Sequence, residues 1–510
     1  NLNDDYIHLK KMNVIYELSG TTDKPIWLWG SNTPTDEMFF IRLNNTTVGG
    51  GIVNVNSPVG MVIEVPDGTN NNFGLIRATN LTVYGSGSLV CSGMSVFPLR
   101  NSYMENALLI TDTKITLNNG GIDSSSWNGT VVLAGTADIK ITGNDRYAPL
   151  VIGQQSTSTL TLKDSAKLSV FQQDKDTPYE YTVDGIEIFG NLILEDSSYL
   201  EAHGKNCSGI YQGNGISCNG SVTVGDNAEV VAKGYGIGLW GNTAVTINGG
   251  KVTVEGKTSN GIYTEGSISV SSNAEIDASG YYPALYSAGD TILKNCRVNA
   301  ISTEDCGIWA NDNLVISEDC EVIATGVNMA LGAANDIKLL PLSDSAYIIM
   351  GGSDEISAEE LGISPISAET VLTNDDVENY KYLKIVKEGS NLPPVGNLIT
   401  YYQVVVEETD NGKVTTDCAA ASSGASVMIT VNPEEGYKLD KLTVTDKNGG
   451  DIEILAKGGS VYQFTMPFGQ VTVKATFIRE SCDGGECCLS KKFEDVNLGS
   501  WYHESLCCGK

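Results

Sequence analysis

The stretch Gly261-Ile262-Tyr263-Thr264-Glu265-Gly266-Ser267-Ile268-Ser269-Val270-Ser271-Ser272-Asn273-Ala274-Glu275-Ile276 carries the pattern that decides the fold. Aliphatic and polar residues alternate through Ser267-Ile268-Ser269-Val270, the period of a strand with one buried face. Gly and Asn punctuate the stretch, and no segment of it has helical periodicity.

The same unit recurs on both sides. Gly185-Ile186-Glu187, Gly209-Ile210-Tyr211, Gly236-Ile237-Gly238, Gly261-Ile262-Tyr263, Ala284-Leu285-Tyr286, Gly307-Ile308-Trp309 and Ala330-Leu331-Gly332 align with aliphatic steps of 24, 27, 25, 23, 23 and 23 residues. A second register, from Ser165-Ala166-Lys167-Leu168 through Asn227-Ala228-Glu229-Val230 to Asp319-Cys320-Glu321-Val322, marks the same repeat. Short strands in units of this length fit one coil of a parallel β-helix, each coil stacked about 4.8 Å above the last. The aliphatic position points inward. The small residue at Ala166, Ser198, Ala228, Gly250, Ala274, Cys296 and Cys320 fits a sharp corner.

Less regular versions upstream place the coils between about residue 35 and about residue 350, with an inserted loop from Gln172 to Asp184. Beyond them, Ser357–Gly362 reads as a short helical turn and Tyr380–Val386 as a strand covering the open end of the solenoid. The expected class is all-β: a right-handed single-stranded parallel β-helix with a terminal cap over 1–390, a linker over 391–400, a small β-rich module over 401–478, and a final segment, 479–510.

Composition agrees with this reading and removes others. With 62 acidic and 32 basic residues the net charge is −30, which excludes a nucleic-acid binder working by phosphate neutralisation. Glycine at 56 of 510 residues and 41% hydrophobic residues exclude both a helical bundle and a disordered acidic tail. No apolar run is long enough to span a membrane. The chain opens at Asn1 without a secretory leader and closes at Lys510 without a terminating element, and reads as a piece of a longer polypeptide. Seven of the twelve cysteines are scattered singly, so cysteine usage leaves the redox compartment open.

The repeats, together with Gly49-Gly50-Gly51-Ile52-Val53 and Asp67-Gly68-Thr69-Asn70-Asn71, resemble a bacterial family of extracellular carbohydrate-binding β-helix proteins over roughly residues 35 to 390. That family looks like the pectate lyases in fold. The resemblance implies calcium-dependent, non-catalytic polysaccharide binding. Gly412-Lys413-Val414, Pro433-Glu434-Glu435-Gly436-Tyr437 and Phe464-Thr465-Met466-Pro467 resemble the internalin B-type repeats used as spacers in Gram-positive surface proteins. Phe493-Glu494-Asp495-Val496 and Trp501-Tyr502-His503 look like the start of a truncated, helical S-layer homology domain, which docks surface proteins on a cell-wall polysaccharide. These resemblances imply an extracellular, wall-anchored location, with the full-length anchor as the wall-binding part.

Residues following the inward aliphatics should face outward on one sheet: Tyr211, Tyr263, Tyr286 and Trp309, with Trp240 close to the gap at Gly238. Stacked exposed aromatics hold the apolar faces of sugar rings, and equally serve as a stack that only stabilises the sheet. Asp164, Asp196, Asp226, Glu318 and Asp319 recur at the coil turns, with Glu229, Glu275 and Glu321 expected exposed nearby. Converging carboxylates suit calcium, and acidic residues at turns are also ordinary surface residues. No catalytic residues are assigned. An uronate lyase needs a strong base, and of the six arginines only Arg297 lies on a regular strand position; His203 reads as an exposed variable position. Cys296 and Cys320 stand at equivalent positions on adjoining coils, within disulfide range or as packed free thiols. Cys482, Cys487, Cys488, Cys507 and Cys508 gather at the C-terminus, where a linker disulfide fits better than zinc.

Overall fold

The structure is a computed structural model that describes residues 6–30, 37–54, 59–96, 108–118, 120–124, 129–143, 148–172, 184–207, 211–343, 345–389, 401–422, 426–446, 450–466 and 470–479. It divides into two compact units, Asn1–Val395 and Gly396–Lys510. The first is a three-faced parallel β-helix. Its parallel strands each pair with the strand one coil away, which is how a coil of short strands satisfies its backbone groups.

On the first face the inward residues form one continuous row: Ile7, Ile26, Ile52, Ile76, Met94, Ile122, Leu150, Ile186, Ile216, Leu239, Ile262, Leu285, Ile308 and Leu331. All but Ile7 are buried. Burial of each such side chain is worth about 1.5–3 kcal/mol, and the row is shared between neighbours, so no coil is stable alone. The second face begins with Ile15–Thr22 and runs to Ile337–Leu340; the third carries Lys167–Phe171, Tyr199–His203, the second halves of Ser221–Gly234 and Ala244–Gly256, Glu275–Gly280, Arg297–Ser302 and Glu321–Thr325 in successive coils.

Two boundaries differ from the expected ones. The coils begin at Ile7–Leu9 rather than near residue 35, because the early steps of 19, 26, 24 and 18 residues hide the period. From Ile216 to Leu331 every step is 23 residues. The expected alignment on Ile210 and Ile237 therefore shifts to Ile216 and Leu239, and the extra length lies in a hairpin, Asn206–Cys207 against Tyr211–Gln212.

The second register holds across the whole repeat, with Lys167, Tyr199, Glu229, Lys251, Glu275, Arg297 and Glu321 in one row. The corner before it is left-handed: Asp164, Asp196, Asp226, Asn295 and Glu318 have φ between 37° and 60°. Asp and Asn tolerate that conformation, which explains their recurrence there. Gly250 takes the same corner at φ 73°, where a Cβ would lie 2.4 Å from the Ala228 carbonyl oxygen.

The C-terminal end of the coil stack is closed by a change of strand direction. Tyr382–Lys387 runs antiparallel both to Glu321–Thr325 and to Tyr347–Gly352, and Thr370–Leu372 runs antiparallel to Ile337–Leu340. The helical turn expected at Ser357–Gly362 is instead a turn followed by the strand pair Glu359–Glu360; the one α-helix among the described residues is Asn374–Val377. Its capping box, Thr373 with Asp376, accounts for its position.

The second unit contains two four-stranded sheets. Val427, Ile429 and Val431 of one, and Val444, Val471 and Val473 of the other, alternate inward with Phe464 and Met466 in a separate core. Residues 480–510, where the truncated S-layer homology domain is expected and where the five C-terminal cysteines lie, are outside the described residues.

Candidate functional site

Outward residues of the first face inherit their alignment from the inward row. In the last coils they read Ser217, Trp240, Tyr263, Tyr286, Trp309 and Gly332. Trp240, Tyr263, Tyr286 and Trp309 thus form four successive rungs, all half-buried. Trp240 is a rung of the ladder, not a neighbour of a gap. Tyr211 is not part of it: its backbone belongs to the inserted hairpin, and Ser217 occupies its expected place.

The rings are held in different ways. Tyr263 and Tyr286 stack with centroids 5.0 Å apart and planes 2° from parallel. Trp309 lies over Gly332, where an added Cβ would come within 2.8 Å of the indole. Polar groups two residues along each strand line the same edge. The Tyr263 hydroxyl donates to Glu265, and burial with that carboxylate pushes the phenol up to about 12, so it stays a donor at neutral pH. Trp309 Nε1 donates to Asn311 Oδ1 at 2.7 Å, and Asn311 Nδ2 donates to the Tyr286 hydroxyl at 2.7 Å. Glu265 and Asn311 escape a sequence reading centred on aromatics; their shared offset from the rungs is the signal that finds them.

An acidic group stands at the head of the ladder. Asp184 accepts from the Asn214 backbone N–H at 2.7 Å and from the Ser217 hydroxyl at 2.5 Å. Burial raises its pKa, and burial with the nearby Asp184 raises that of Glu187, which pairs with Ser217 on the sheet. The Trp240 Nε1 is buried without a hydrogen-bond partner.

The turn carboxylates do not converge. Asp164 accepts from the Gly135 N–H at 2.8 Å and Asp196 from the Asp164 N–H at 2.9 Å, so each fastens its coil to a neighbour. Glu318 pairs with Lys294 at 3.0 Å and Asp319 with Lys387 at 2.8 Å. Asp196 and Asp226 share a polar recess of about 370 Å³ with Asn227 and Ser272. Among the described residues no three His, Cys, Asp or Glu come together as metal ligands. Of the stacked glutamates, Glu275 is exposed, Glu229 is half-buried and Glu321 is buried, the last two against expectation. For Glu321 the reason is the capping strand, whose Lys384 lies 3.7 Å from it.

Arg297 is committed to Glu275 and Glu321, each at 3.5 Å. His203 is half-buried rather than exposed, 3.0 Å from Glu201 and edge-on to Phe171, and its pKa is lowered chiefly by burial. Cys296 and Cys320 are buried free thiols with sulfurs 3.4 Å apart.

Comparison with known proteins adds one match. A family model described as a divergent InlB B-repeat domain matches residues 402–481, within the second unit. No curated protein matches the chain, and no solved structure matches it. The second unit is therefore similar to the InlB-type repeats, which occur in surface proteins, and the β-helix rests on its own geometry.

Proposed function

We propose that the β-helix binds polysaccharide without catalysis, and that the chain displays it outside the cell, held through the anchor at its C-terminus. The observation that carries this reading is the four-rung row of Trp240, Tyr263, Tyr286 and Trp309 with Glu265 and Asn311 along its edge. Aromatic surface meets the C–H faces of sugar rings, and the adjoining donors and acceptors meet their hydroxyls. The InlB-type repeat supports the surface location. Calcium as cofactor rests on the resemblance, which would have it bridge to an acidic glycan that a charge of −30 otherwise repels; the described residues gather no three carboxylates to hold it.

The test is glycan-array binding by the whole chain, with calcium and then with chelator, while unsaturated sugar products are followed. Trp309→Ala should lower the affinity for the retained glycan at least about tenfold, the effect of removing a buried aromatic anchor. Release of unsaturated products would replace binding by uronate lysis. The face-to-face packing of Tyr263 on Tyr286 favours a second reading, a stack that only stiffens a surface stalk. On that reading Tyr286→Ala lowers the melting temperature and no glycan is retained.

A further inference from the structure

We infer that the first two coils carry a second aromatic platform, in line with the ladder on the same face, so that one long polysaccharide lies along the helix axis and is gripped at both places. This rests on the proposed glycan reading and adds to it the direction and minimum length of the ligand. Alternation settles which residues face out. Ile26 and Leu28 are buried and Leu9 nearly so, which turns Tyr6, His8, Trp27 and Trp29 to the outer surface of the first face. The Tyr6 and Trp27 rings stack at 4.1 Å with planes 5° apart. His8 meets Tyr6 edge-on at 4.5 Å and Trp29 at 5.6 Å. Trp29 remains 50% exposed, and the His8 Nδ1 has no hydrogen-bond partner. Ring packing thus fixes the cluster in place before any ligand arrives, and preorganised aromatics lose little entropy on binding.

Trp27 belongs to the same outward row as the ladder. Eight coil steps separate it from Trp240, roughly 38 Å at about 4.8 Å per coil. The row between them reads Val53, Arg77, Ser95, Asp123, Val151, Glu187 and Ser217, apolar and small residues alternating with charged ones that can meet sugar hydroxyls. A polymer running along this row would meet both platforms, whereas a glycan crossing the coils would meet only one. Two weak grips on one chain act together, because the first raises the local concentration of the second by tethering it.

The test compares short oligosaccharides, long enough for the ladder alone, with the parent polymers, using homogalacturonan, xylan and β-1,4-glucan as probes on the whole chain. The polymer that binds should do so about 10²-fold or more tighter than its short oligomer, the gain that linked sites provide. Trp29→Ala and Trp27→Ala should each remove at least about tenfold of the polymer affinity and leave the oligomer affinity unchanged. Trp29→Phe should retain it, and Trp309→Ala should weaken both ligands. Equal polymer affinity in wild type and Trp29→Ala, with oligomers still bound, overturns the second platform and leaves the ladder standing. Loss of oligomer affinity in the same variant also overturns it, since the two places would not act independently. If no oligomer or polymer binds, the ladder reading falls and the platform with it. A shift from dimer to monomer on Trp29→Ala, seen by sedimentation, would assign the platform to a second copy of the chain instead.

Discussion

Arg297→Met is expected to destabilise the β-helix by about 3–5 kcal/mol, the usual effect of removing one partner of a buried ion pair. Glu321 is 1% exposed, and neither of its carboxylate oxygens has a hydrogen bond. Among the described residues its charge is balanced only by Arg297 at 3.5 Å and Lys384 at 3.7 Å. Taking Arg297 away leaves a buried carboxylate with one cation, on a strand that the cap must pair with. Adding Glu321→Met to the same variant should restore most of the loss, because the desolvated charge goes as well. Urea denaturation of the three variants is the measurement. An unchanged midpoint for Arg297→Met would mean that the pair contributes nothing to holding the cap.

The second large effect concerns pH. Asp277 lies on the outward side of the third face, next to Asn299, and burial pushes its carboxyl up to about 6, against a smaller opposing pull from Lys251. A carboxyl whose folded pKa is raised is penalised in its charged form. The fold is therefore free of the penalty below the ordinary value of 3.8, loses stability as pH rises towards 6, and carries the full penalty above it. A rise of this size corresponds to roughly 2 kcal/mol once partial solvent access is allowed for. Asp277→Asn should consequently stabilise the protein by about that amount at pH 7 and by almost nothing near pH 4. Thermal melts at the two pH values decide the matter, and an equal gain at both would remove the titration of Asp277 from the explanation.

Much of this architecture was legible in the repeats, for reasons that particular residues make plain. Inward aliphatics such as Ile262, Leu285 and Ile308 and corner residues such as Ala274 and Cys296 are constrained by burial on every side, so their pattern survives in the sequence. The choice between Ile237 and Leu239 was not legible locally. Gly236-Ile237-Gly238 and Gly238-Leu239-Trp240 both carry glycine and an aliphatic, and only the constant coil length and the packing of Leu239 decide between them. That choice moved Trp240 into the ladder and left Tyr211 in a hairpin. The first coils were invisible because their corners vary in length, and with them went the aromatic cluster at Trp27. The burial of Glu321 was out of reach for a different reason: the strand that covers it, Tyr382–Lys387, arrives some sixty residues later along the chain. The acidic corners were found, but their cause is backbone conformation and coil-to-coil hydrogen bonds such as Asp196 to Asp164.

The constant 23-residue spacing from Ile216 to Leu331 makes this part of the β-helix a set of interchangeable cassettes. Deleting or duplicating one unit between equivalent corners keeps every inward residue above an inward residue and moves the cap by one step. The number of aromatic rungs is then a counted property, changed in whole increments by adding or removing units, while point substitution changes only the character of each rung.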